Sequence, residues 1–96
     1  MPKYVIQREL PGAGSLRPDE LADITRTSNE VLSGMAGRAQ WLHSYVLDDA
    51  IMCVYVADGP ESIREHAQCG GFPVTAIHRV TEVIDPSTAE REAVPS

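Results

Sequence analysis

Apolar and polar side chains follow one another along this chain with two periods, one typical of helices and one typical of strands. Apolar side chains recur at helical spacing after Pro18, and this predicts a first helix that ends near Gly34 or Gly37. A second, more polar helix is predicted from Asp58 to about Cys69, with Ile63 and Ala67 as its apolar anchors. Strands are predicted over residues 4–9, 40–47, 51–57 and 76–84.

The predicted order is strand, helix, strand, strand, helix, strand. This βαββαβ order is typical of an α+β, ferredoxin-like domain, with a four-stranded antiparallel sheet and both helices on one face. The third strand is apolar on both faces, whereas one chain supplies helices for only one face. We therefore expect a homodimer of the dimeric α/β-barrel type, in which Trp41, Tyr45 and Tyr55 help a second copy cover the other face.

Length and charge limit the function classes. The chain has 96 residues, which allows one domain, predicted over residues 1–86, followed by a flexible tail of small and polar residues over 87–96. A net charge of −6 disfavours nucleic acid and anionic membranes as partners. No apolar run is long enough for a membrane span or a signal-peptide core, so a cytoplasmic location is expected.

The three histidines are the clearest chemical signal in the sequence. His43, His66 and His78 lie on three different predicted elements, and imidazole is a good ligand for nickel, zinc and copper. Glu82, four residues after His78, offers a carboxylate. These four side chains are the candidate metal ligands. The two cysteines are not spaced as CxxC and predict neither a zinc site nor a disulfide framework.

A small-molecule pocket is the alternative hypothesis, because aromatic walls with a few polar groups are typical of ligand sites. A binding protein or enzyme of the dimeric α/β-barrel type would use six candidate residues: Glu9, Trp41, His43, Tyr45, Tyr55 and His66. A dimer interface explains the exposed aromatic residues as well and is the favoured interpretation. No catalytic signature is present, so no catalytic residue is assigned and binding is favoured over catalysis.

Several short segments, taken in order, make the chain similar to a known bacterial family. They are residues 1–4 (MPKY), 8–13 (RELPGA), 40–46 (QWLHSYV), 53–55 (CVY), 63–67 (IREHA), 71–73 (GFP) and 83–86 (VIDP). The chain resembles a family of small ferredoxin-like proteins that contains a nickel-binding, nickel-responsive member. The family often has Ser or Thr before the proline that opens the first helix, where this chain has Arg17.

The resemblance implies a homodimer with packed sheets, and nickel is the metal that it favours. We therefore expect a cytoplasmic, homodimeric, nickel-binding protein, with the small-molecule pocket as the alternative.

Overall fold

Four strands and two long helices alternate along residues 1–91, the part of the chain that the computed structural model describes. The strands are β1 (Lys3–Glu9), β2 (Ala39–Val46), β3 (Ala50–Ala57) and β4 (Ala76–Arg79). The helices are α1 (Pro18–Ser33), α2 (Pro60–Gly70) and the four-residue α3 (Thr88–Arg91). The predicted order of elements is confirmed.

All neighbouring strands of the single sheet are antiparallel, in the order β2-β3-β1-β4. The two inner strands, β1 and β3, pair along their whole length, from Lys3 opposite Val56 to Glu9 opposite Ala50. This is the predicted ferredoxin-like α+β fold.

One face of the sheet packs against the helices and carries the core. Tyr4, Ile6 and Arg8 of β1 are buried in alternation, and Ile51, Cys53, Tyr55 and Ala57 of β3 follow the same pattern. We call the opposite surface the open face. Its side chains include Lys3, Val5, Gln7, His43, Tyr45, Met52, Val54, Val56, Ala76 and His78.

The ends of both helices have identifiable causes. Pro18 occupies the first position of α1, and the Glu20 carboxylate accepts a hydrogen bond from the Arg17 backbone N–H at 3.0 Å. Gly59 holds the cap position of α2, and the carboxylate of Asp58, just before it, accepts a hydrogen bond from the Ser62 hydroxyl.

Because of a β-bulge in β2, the side chains of this strand are distributed over the two faces of the sheet differently from the prediction. Regular alternation predicts Trp41, His43 and Tyr45 on one face, but Trp41 pairs with Tyr55 and His43 pairs with Val54, so one extra residue lies between them. Trp41 therefore lies on the helix-covered face with Tyr55, while His43 and Tyr45 lie on the open face. Of the three aromatic residues expected to cover the open face, only Tyr45 is found there.

The last strand is shorter than predicted. It ends at Arg79 rather than near residue 84, because the Val80 N–H already donates to the Lys3 carbonyl at the start of β1, and β1 offers no further partner. Val83 and Ile84 are exposed as a result. The predicted tail, 87–96, contains α3, and residues 92–96 lie outside the described residues. Within residues 1–91, no helix has the length and apolar composition needed to cross a membrane.

Candidate functional site

A cavity of about 540 Å³ lies between the N-terminal half of α1 and the helix-covered face of the sheet. Its walls are mostly apolar and aromatic. Leu21 and Ile24, the apolar residues that α1 contributes, are only half-buried, whereas Met35, just after this helix, is buried in the core. The helix packs tightly at its C-terminal end and borders an opening at its N-terminal end.

Arg8 is the charged side chain buried at the cavity wall, with 4% of its surface exposed. Its Nε donates a hydrogen bond to the Cys53 sulfur at 3.4 Å, and its Nη1 donates to the Pro73 carbonyl at 2.7 Å. Its Nη2 has no hydrogen-bond partner among the described residues. Within that part of the chain, no carboxylate lies within ion-pairing distance of the guanidinium.

His66 lies beside this arginine and is completely buried. Its Nε2 shares a hydrogen bond with the Ser28 hydroxyl at 3.0 Å, and its Nδ1 has no partner within residues 1–91. Burial, reinforced by the Arg8 charge, lowers the pKa of His66 to about 4. The imidazole is therefore neutral near pH 7. Burial also raises the pKa of the neighbouring Tyr55 hydroxyl, which keeps it protonated.

Aromatic rings hold these polar groups in place. The Phe72 ring stacks on His66 with a centroid separation of 5.2 Å, and the Arg8 guanidinium lies 5.6 Å from the Phe72 centroid. Gly70 makes this possible, because a Cβ atom at that position would overlap the Phe72 ring. On the other side of His66, the centroid of the Tyr55 ring lies 5.3 Å from the centroid of His66 and 6.5 Å from that of Trp41.

The structure divides the six residues of the predicted small-molecule pocket into two groups. Trp41, Tyr55 and His66 line the cavity. The other three do not line it: Glu9 is exposed at the end of β1, and His43 and Tyr45 are exposed on the open face. For His43 and Tyr45 the β2 bulge is the reason, because it places them on the face opposite Trp41.

The four candidate metal ligands do not meet within one chain. His43 and His78 are exposed on the open face, Glu82 is exposed beyond β4, and His66 is buried on the other side of the sheet. Across residues 1–91, no three His, Cys, Asp or Glu side chains are grouped closely enough to hold a metal ion.

Three further side chains at the cavity were missed from the sequence: Arg8, Ser28 and Phe72. The sequence contained a signal for Arg8. It follows Tyr4 and Ile6 at every second position of an inner strand, and such positions face the core, where an apolar side chain is the rule. Phe72 offered no such signal, since it follows the second helix in an irregular segment.

Comparisons with known proteins agree with the fold. The chain is similar in structure to SCO4226 from Streptomyces coelicolor A3(2), with a TM-score of 0.72 and 13% sequence identity. The match covers 85% of this chain and 99% of that one. A search of curated proteins gives no significant match. The family described as "Nickel responsive protein SCO4226-like" matches residues 4–80, and the chain belongs to this family.

Proposed function

We propose that the protein is a homodimeric, nickel-binding protein whose subunits pack through their open faces. The family description supports nickel as the metal. The open face supports the dimer, because Val5, Val54 and Val56 form an apolar centre on the side of the sheet opposite α1 and α2.

The position of two histidines carries this proposal. His43 pairs with Val54, Val54 with Val5, and Val5 with His78, so the two imidazoles lie in one row across the open face. They stand on opposite edges of the sheet, about 14 Å apart at three strand spacings. A single chain therefore keeps them apart, and a second chain is needed to bring such residues together.

A two-fold axis parallel to the strands would bring them together. With two open faces packed about 10 Å apart, this axis places β2 of one subunit over β4 of the other. His43 would then lie opposite His78 of the partner subunit, once at each edge of the dimer. Imidazole is a suitable nickel ligand, and Glu82, three residues beyond the end of β4, is the first carboxylate that follows this strand along the chain.

His66 has no part in this metal site. It is completely buried on the helix-covered face, and its Nε2 is engaged with Ser28. The net charge of −6 supports the further proposal that nucleic acid and anionic membranes are not partners. The proposed protein partner is a second copy of the chain, and the proposed location is the cytoplasm, where free thiols such as those of Cys53 and Cys69 are usual.

Calorimetric titration of tag-free protein with nickel tests the proposal. We expect one site per chain, and His43→Ala and His78→Ala should each lower the affinity by at least about tenfold, since each removes one ligand from a shared site. Gln68→Ala, an exposed change on α2 and therefore away from the open face, is the control and should leave the affinity unchanged. Unchanged nickel binding in both histidine variants would contradict the shared site.

The cavity supports a second candidate function, the binding of a small molecule. About 540 Å³ lies within the range of small-ligand sites, and the walls combine apolar and aromatic side chains with a few polar groups. This function is independent of nickel, because the cavity and the open face lie on opposite sides of the sheet.

A further inference from the structure

The buried guanidinium of Arg8 has no counter-ion among the residues that the structure describes. Removing a charge from water is costly unless it is paired, and buried arginines normally have a carboxylate partner. Among the described side chains that line the cavity, Asp23 is the single acidic one. It is exposed and pairs instead with Arg26 at 2.5 Å. Nothing in residues 1–91 neutralises Arg8 directly.

We propose that the cavity binds a small organic monocarboxylate, with the carboxylate at Arg8 and an apolar body between Trp41, Ile24 and the other apolar walls. This inference rests on the second candidate function and names its ligand class. It does not depend on nickel binding.

The charges at the cavity favour a carboxylate over a phosphate. Within residues 1–91, Arg8 is the single cationic side chain that lines the cavity, and the neighbouring His66 is neutral near pH 7. One guanidinium balances one negative charge, whereas a phosphate dianion would bring a second charge into mostly apolar walls. A guanidinium also matches the planar, two-oxygen geometry of a carboxylate.

Two unpartnered polar atoms fit this ligand. Arg8 Nη2 lacks an acceptor, and His66 Nδ1 is free of any partner within the described chain. In the tautomer whose Nε2 accepts from the Ser28 hydroxyl, Nδ1 carries the proton and is a donor. Phe72 fixes both groups by contact with each of them, so they are held in place before a ligand arrives.

Trp41 supplies the measurement, because it is the single tryptophan of the chain and lines the cavity. The probes are phenylpropanoate, octanoate and the neutral analogue phenylpropanamide, each titrated into the full-length protein while tryptophan fluorescence is followed. We expect at least one of the two carboxylates to bind. Phenylpropanamide should bind at least about tenfold more weakly than phenylpropanoate, the effect of losing a charge-assisted hydrogen bond.

The variant Arg8→Gln removes the charge and should abolish the preference for the carboxylate over the amide. The matched control is Arg79→Gln, because Arg79 is exposed on β4 and lies outside the cavity. This variant should retain the preference for the carboxylate over the amide. Nickel affinity should be the same in Arg8→Gln as in the wild type.

The comparison of probes on the wild-type protein decides the proposal even if Arg8→Gln fails to fold. Equal affinity for phenylpropanoate and its amide would contradict the proposal that the ligand is a monocarboxylate. The second candidate function, the binding of a small molecule, would still stand. If no probe changes Trp41 fluorescence at millimolar concentration, both the ligand class and the second candidate function are wrong.

Discussion

The two faces of this sheet are built from alternate residues of the same strands, yet their chemistry is opposite. The helix-covered face buries an arginine and a neutral histidine among aromatic rings. The open face displays His43 and His78 to solvent above a row of half-buried valines. Neighbouring residues along one strand therefore serve different purposes.

This comparison teaches that the side of the sheet on which a histidine lies decides which role is open to it. His66 is held by Ser28 and Phe72 and acts as part of a cavity wall. His43 and His78 are free to meet a second copy of the chain. Grouping all three as ligands of one metal site overlooks the sheet that separates them.

The sharpest test of the comparison is a pair of adjacent substitutions in β1. Ile6 is completely buried, so Ile6→Asp should leave the chain unfolded, because an unpaired buried carboxylate costs several kcal/mol, a large share of the stability of a small domain. Val5→Asp, one residue away on the open face, should leave the fold intact and convert the proposed dimer into a monomer.

Circular dichroism and sedimentation velocity separate the two results. A folded Ile6→Asp variant would contradict the location of the core. A Val5→Asp variant that still sediments as a dimer would show that the open faces do not form the interface. A monomeric Val5→Asp variant should also lose the nickel site shared between subunits.

Acid should lower the stability of the folded protein through His66, which is buried on the helix-covered side of the sheet. The pKa of His66 is about 4 in the folded protein and close to 6.5 in the unfolded chain. Between these two pH values the unfolded chain binds a proton at His66 and the folded chain does not. The buried neutral imidazole makes its full contribution to the free energy of unfolding above about pH 6.5. The free energy of unfolding falls by about 3 kcal/mol as the pH drops from there to about 4.

Urea unfolding across this pH range measures the effect, and two variants assign it. His66→Gln should lose this part of the pH dependence. His78→Gln, on the open face, should retain it. If His66→Gln and the wild type lose stability in parallel between these pH values, the burial of a neutral imidazole is not the cause.

A smaller effect is expected from the glycine beneath Phe72. Gly70→Ala should displace the Phe72 ring and lower the stability by about 1 kcal/mol, the low end of overpacking costs. It should also weaken the binding of phenylpropanoate. Gly34→Ala, where a Cβ atom has room and the backbone is unstrained, is the control and should be almost neutral by thermal unfolding.

Most of the fold follows from the hydrophobic pattern, and the exceptions have physical causes. The stripe of α1 and the apolar run of β3 predict their elements, because burial imposes a period on the sequence. The β2 bulge has no such sign, since one additional residue changes the facing without changing the composition. The end of β4 depends on where β1 begins, a distant feature that local patterning does not contain.

The candidate site was less predictable for a related reason. A cavity is formed by elements that stand apart, and its walls come from distant segments such as Arg8, Trp41 and Phe72. The metal hypothesis named His43 and His78, which the structure places on the open face, but the sequence could not show that His66 lies on the other side of the sheet. Whether the exposed pair binds nickel stays a prediction.

The bulge in β2 also bears on how the length of this chain can change during evolution. Leu42 is the residue without a partner in the ladder, and removing it would leave Trp41 and His43 on the faces that they now occupy. Deleting Ser44 instead would exchange faces for part of the strand. Relatives that have lost one residue here should therefore have lost the equivalent of Leu42, and they should have a regular strand with both surfaces preserved.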